Sequence, residues 1–205
     1  TDTKGSKQAS WRTDSTVGGE SGAFADIGTH AFNLVEFITG QQVVEVAAEL
    51  RTVVPGRAID DDGAALFRME NGASGMLAAS QVCTGAVNGL RIEVYGDTAS
   101  LHWSHGEPNT LTIGRRGEPD QILSPGNNVE YLSDAARARC RTPGGHPEGF
   151  IEAFSNLYMD FATAIRAFPE YTDNVCATVG DGVRAMRFVR ATITSTDNDS
   201  QWTPV

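Results

Sequence analysis

The chain has 205 residues, of which 40 % are hydrophobic, enough for one sizeable core. Its net charge of -10 and its pI of about 4.8 argue against nucleic acid or an anionic membrane surface as the main partner. There is no secretory leader pattern and no long apolar run. The 3 cysteines, Cys83, Cys140 and Cys176, form no CxxC pair, so the expectation is a cytoplasmic protein with reduced thiols and no metal site.

The segment Thr1–Ser10 is polar and reads as a ragged fragment start; it holds both lysines, Lys4 and Lys7. Phe24 to Gly40 reads as a helix, with Ile27, Ala31, Leu34, Val35 and Ile38 on its apolar face and Gly40 as its stop. Val43 to Val54 is rich in β-branched residues and ends at Pro55-Gly56. Ala64–Glu70 and Ser74–Ser80 flank Asn71-Gly72, a hairpin signal. Leu90–Tyr95, Ser100–Trp103 and Thr110–Ile113 continue as strands. Short turns between them imply mainly antiparallel pairing.

Residues 124–147 are turn-rich. A helix follows, with Phe150, Ile151, Phe154, Leu157, Tyr158, Phe161 and Ile165 on one apolar face and Pro147 in its first turn. A last helix spans about Val179 to Ile193, with Val183, Met186, Val189 and Ile193 inward. No internal repeat is present. The pattern is α+β: one large, mainly antiparallel, open-faced sheet with helices packed on one face.

A dinucleotide-binding unit needs a buried strand, then G-x-G-x-x-G at a helix start. Gly18-Gly19-Glu20-Ser21-Gly22 is the nearest glycine cluster, and it has neither the spacing nor the strand. No cofactor-binding residue is therefore assigned. His102 and His105 form an H-x-x-H pair on a strand, where side chains alternate in direction, so they read as exposed hairpin residues rather than metal ligands.

Asp26, His30, Asn33 and Phe37 form a second stripe on the first helix. A carboxylate and an imidazole one turn apart can point at one small volume, and imidazole suits proton transfer near neutral pH. The same pair also fits a salt bridge at a helix N-terminus, where Asp26 favours the positive end of the dipole. Gly22 and Gly28 permit close approach of a ligand or of another backbone. Trp11 and Arg12 precede the stripe, and Asn88 and His146 stand in Gly-containing loops. Each of these has both a substrate-contacting reading and a purely structural one.

Gly22-Ala23-Phe24-Ala25-Asp26-Ile27-Gly28-Thr29-His30 resembles the G-x-x-x-D-x-G-x-H signature of the glucose–fructose oxidoreductase, inositol dehydrogenase and rhizopine-catabolism (Gfo/Idh/MocA) family. Glu93-Val94-Tyr95-Gly96 with Ala99-Ser100-Leu101 resembles the family's E-x-x-G-x-x-G-x-L hairpin, with Ala99 where glycine is usual. Glu107-Pro108-Asn109 and Gly145-His146-Pro147-Glu148-Gly149-Phe150 resemble segments of sugar- and polyol-handling members. The resemblance implies that residues 1–205 are a single C-terminal substrate-binding and oligomerisation domain, with an N-terminal Rossmann domain, absent here, holding NAD or NADP.

It further implies Asp26 and His30 as catalytic residues and a sugar or polyol as substrate. Arg12, Trp11, Asn33, Asn88 and His146 become candidate substrate contacts. The family's catalytic lysine, usually in a Glu-Lys-Pro segment, has no counterpart, so the chain alone is expected to be inactive. Homo-oligomers are expected through the open sheet face. The alternatives are a non-catalytic sugar-sensing relative or an oligomerisation module of the same fold.

Overall fold

The structure, a computed structural model, describes residues 15–170 and 176–205. In chain order the helices are α1 (Ser15–Gly18), a π turn (Phe24–Gly28) continuing into α2 (Thr29–Thr39), α3 (Asp134–Arg137), α4 (Phe150–Ala167) and α5 (Val179–Asp197). The strands are β1 (Val43–Arg51), β2 (Asp62–Met69), β3 (Ser74–Ser80), β4 (Arg91–Tyr95), β5 (Ala99–Ser104), β6 (Leu111–Arg115), β7 (Gln121–Leu123) and β8 (Thr203–Pro204). The chain divides into two units, residues 1–86 with 179–205, and residues 87–178.

The first unit is built on an antiparallel ladder in the order β3-β2-β1-β8. The β2–β3 hairpin turns at Asn71-Gly72 as expected. Only Gly72 takes the left-handed φ, at 86°, while the Asn71 side chain accepts the Ala73 N–H. Strand alternation buries Val46, Ala48, Ala65, Phe67, Leu77 and Ala79 on one face. Ala64, Leu66, Met76 and Ala78 face outward, so this ladder has an open side.

Helices cover the buried side. Phe32 stacks on Phe188 of α5 with ring centroids 4.4 Å apart, and Phe24 lies 6.1 Å from the same ring. The α5 helix also completes the sheet edge. β8 pairs only with Glu45 and Val46 of β1. Further along, the Ser195 hydroxyl accepts the Ala48 N–H at 2.9 Å and the Thr196 hydroxyl accepts the Leu50 N–H at 3.0 Å. Two helix hydroxyls thus replace a missing strand partner, because a buried N–H left unpaired is costly.

The buried faces of both helices differ from the sequence expectation. Ala31 and Val35 pack against the core as expected, but Ile27 and Ile38 are exposed, and Phe24, Gly28 and Phe32 face the core. The π turn is the reason. Its Thr29 N–H reaches back five residues to Phe24 O, which widens the turn and rotates the stripe that an ideal α-helix would bury. On α5, Val189 is buried as expected, but Val183 and Met186 are exposed and Phe188, Ala191, Thr192 and Ser195 take the core positions.

The second unit carries an antiparallel meander in the order β4-β5-β6-β7. The α+β class and antiparallel pairing match the sequence reading. The strands, however, form two four-stranded ladders where the sequence suggested one large sheet. Residues 81–90 between β3 and β4 contain turns and no strand, which ends one ladder before the next begins.

Residues 124–149 are stitched by side chains. Asn127 Nδ2 donates to Arg141 O, Asn128 Oδ1 accepts the Gly144 N–H, and Glu148 Oε1 accepts the N–H groups of Arg141 and Thr142. Helix α4 starts after Gly149, whose N–H donates to Glu152 Oε2 at 2.9 Å, so Pro147 lies before the helix rather than in its first turn. No residue of α4 is buried.

Candidate functional site

Asp26 sits in the π turn and His30 in the first turn of α2. Single π turns inside helices are frequent at functional sites. Here the entry to the turn is held from a distance. Asp60, itself buried, accepts the Gly22 N–H on Oδ1 at 2.8 Å and the Phe24 N–H on Oδ2 at 3.0 Å, and its carbonyl accepts the Ala23 N–H at 3.0 Å. A residue 36–38 positions away thus caps the donors that a local N-cap side chain would ordinarily take.

This clamp explains the two glycines. A Cβ on Gly22 would lie 2.2 Å from Asp60 O, and one on Gly28 would lie 3.2 Å from the Phe24 ring. Both serve close internal packing, one against backbone and one against the core.

The adjacent Asp61 is fully buried. Its carboxylate accepts the Val53 N–H at 2.7 Å and the Val54 N–H at 3.0 Å, and it pairs with Arg57 at 3.2 Å. Its carbonyl accepts the Gln81 N–H at 2.8 Å. From that anchored backbone, Gln81 Nε2 donates to Asp26 Oδ2 at 3.1 Å. Asp60, Asp61 and Gln81 were not signalled by local sequence pattern. The only cue was the Asp60-Asp61-Asp62 run, which reads as an ordinary acidic loop.

Asp26 is half-buried, while His30, Asn33 and Phe37 are exposed, so the stripe is a solvent-facing one with its carboxylate end tethered. The Gln81 amide thus bonds a carboxylate that precedes an exposed imidazole by four residues. Trp11 and Arg12 lie outside the described residues.

Asn88 and His146 belong to the second unit. Asn88 follows Val87, which has a φ of 42° and is fully exposed. His146 borders a cleft of about 510 Å³ walled by Trp103, His105 and Phe150. The H-x-x-H pair is half-buried rather than exposed, and His105 falls just past the end of β5: His102 bonds Ser100 and packs edge-on to Tyr95, while His105 packs against Trp103 and Phe150. Among the described residues no cluster of His, Cys, Asp and Glu could hold a metal ion. The three cysteines are unpaired.

The segment around Gly18–Gly22 offers no phosphate cradle, because α1 is a single turn and Gly22 is packed against Asp60. No helix among the described residues is long and apolar enough to cross a membrane.

The family profile described as the GFO/IDH/MocA C-terminal domain matches residues 1–102, a span that contains Asp26, His30 and Gln81. The chain belongs to the GFO/IDH/MocA family. An uncharacterised oxidoreductase of Bacillus subtilis, YfiI, is 32% identical over 199 residues, covering 94% of this chain and 50% of the relative. An inositol dehydrogenase homologue from Azotobacter vinelandii, solved with NADH and myo-inositol, is 31% identical with a TM-score of 0.86; the match covers 98% of this chain and 53% of that one. An oxidoreductase from Sinorhizobium meliloti is 39% identical with a TM-score of 0.82, covering 88% and 51% respectively. The chain therefore spans about half the length of these relatives.

Proposed function

We propose that this GFO/IDH/MocA domain is the substrate-binding part of an NAD(P)-dependent oxidoreductase acting on a sugar or polyol hydroxyl. The observation that carries the reading is the clamped start of the first helix, which presents tethered Asp26 one turn before exposed His30. The Azotobacter homologue bound to NADH and myo-inositol supports the cofactor and substrate classes.

In this reading His30 takes the proton of the substrate hydroxyl, and Asp26 orients the imidazole or hydrogen-bonds the sugar. Nicotinamide, when bound, supplies the hydride acceptor or donor. Among the described residues the Gly18–Gly22 segment does not fit the dinucleotide phosphates, so the part proposed for this chain is to bind the polyol and move the proton. Asn33, Asn88 and His146, with Trp11 and Arg12, are proposed substrate contacts. We also propose assembly into homo-oligomers through the open ladder face bearing Leu66 and Met76, which sedimentation of the chain tests directly.

The test of the catalytic reading uses the complete protein. NAD and NADP reduction is screened with inositols, glucose, xylose and anhydrosugars. Turnover is expected with at least one polyol, and His30→Ala is expected to lose about 10²-fold or more in rate. Full activity in His30→Ala, or inertness toward every polyol, sinks the mechanism.

A further inference from the structure

We infer that Gln81 is a positioning residue for the reaction: it fixes the Asp26 carboxylate through its side-chain amide. The inference rests on the assignment of Asp26 and His30 proposed above and adds a residue to it.

Gln81 directly follows β3, 55 residues after Asp26, and the two meet only in the fold. Its Nε2 donates to Asp26 Oδ2 at 3.1 Å. The direction of the bond follows from chemistry, since an ionised carboxylate can only accept. The amide is a rigid, uncharged donor, so it orients the carboxylate without adding a charge that competes with the substrate.

The Gln81 backbone is not loose either. Its N–H donates to the carbonyl of fully buried Asp61. Asp61 in turn is locked by Val53, Val54 and Arg57. The neighbouring Asp60 holds the backbone of Gly22, Ala23 and Phe24, at the other end of the same turn. One dipeptide, Asp60-Asp61, therefore anchors both the helix that bears Asp26 and the backbone of Gln81 just past β3. The Gln81–Asp26 bond closes that loop and gives the carboxylate a side-chain partner on the same anchored frame.

Steady-state kinetics on the complete protein test this. Gln81→Leu, which keeps the bulk and removes the donor, is expected to lower kcat about tenfold or more with a smaller change in KM. In an Asp26→Asn background the same change is expected to have no further effect, because the two residues act as one unit. Gln81→Glu keeps shape and replaces the donor by an acceptor, and is expected to lose at least as much. An unchanged kcat in both Gln81 variants, or losses that simply multiply with Asp26→Asn, overturn the inference.

A second measurement does not depend on turnover. Three-bond Hα–Hβ couplings of Asp26 in this chain report its χ1. A single rotamer is expected in the native chain and averaging in Gln81→Leu and Gln81→Glu. Unaltered couplings overturn the positioning role even when the polyol screen is blank, and averaged couplings support it there. A blank screen on the native protein counts against the enzymatic reading.

Discussion

The two units solve the problem of holding a shape by different means. In the unit of residues 1–86 and 179–205, one face of the ladder, α2 and α5 enclose Phe24, Phe32, Phe67 and Phe188, and every buried hydrophobic residue of the described chain lies in that unit. In residues 87–178, none of α4 is buried, and Ile151 and Tyr158 are more than 70 % exposed, at 76% and 72%. That unit is ordered by strand pairing and by side-chain bonds across loops, such as those to Glu148 and Asn127. The candidate catalytic pair stands on the unit with the core. Placement of Asp26 thus draws on buried, over-determined packing, which loop stitching does not supply.

Four substitutions or conditions test that contrast. The largest effect is expected from Phe188→Ala, which removes the ring on which Phe24 and Phe32 stack. Denaturant unfolding is expected to show a loss of about 3–5 kcal/mol, the usual cost of truncating a buried aromatic. Little change would mean the core is not where the stability resides.

Asp60→Ala comes next. It leaves the N–H groups of Gly22 and Phe24 without their acceptor, at a cost of about 1–3 kcal/mol. Hydrogen exchange at residues 22–28 is expected to speed up more than exchange in β1–β3. Uniform acceleration would argue that Asp60 supports the whole unit rather than the head of the helix.

A smaller, pH-dependent effect is expected in the second unit. Partial burial pushes the Glu148 carboxyl up. The backbone N–H groups of Thr142 and Arg141, the Thr142 hydroxyl and the Arg141 charge together outweigh that, and its pKa ends below the ordinary carboxylate value. Because the folded value is the lower one, the stabilisation is complete above the ordinary carboxylate range and is lost as pH falls through the lowered value. Acidification is expected to perturb Trp103, in the cleft beside this loop, and Glu148→Gln is expected to remove that transition. A transition that persists in Glu148→Gln assigns it elsewhere.

The smallest effect is expected from Ile151→Ala, within about 0.5 kcal/mol, as for surface positions generally. A larger loss, or one that grows with protein concentration, would show that the α4 face is covered in solution.

Much of this was legible from local pattern. The first helix and its Gly40 stop, the Asn71-Gly72 hairpin, the strands and the last helix all follow from periodicity and turn residues. The Asp26–His30 stripe was legible too, because both residues lie within one short segment. The buried face of that helix was not, since nothing local distinguishes Phe24 from Ile27 as the inward residue once a π turn rotates the stripe. On α5 the inward polar residues Thr192 and Ser195 defeat an apolar-stripe reading, because Ser195, with Thr196 beside it, pairs with the edge of β1.

The sequence alone determined the class of elements, their antiparallel order and the candidate chemical pair, since these depend on residues close together along the chain. Only the tertiary structure decided how that pair is held. The Asp60 clamp and the Gln81–Asp26 bond join residues 36 to 55 positions apart. Such contacts leave no periodic trace, because their partners are chosen by the geometry of packing and by the need to satisfy buried polar groups, not by spacing in sequence.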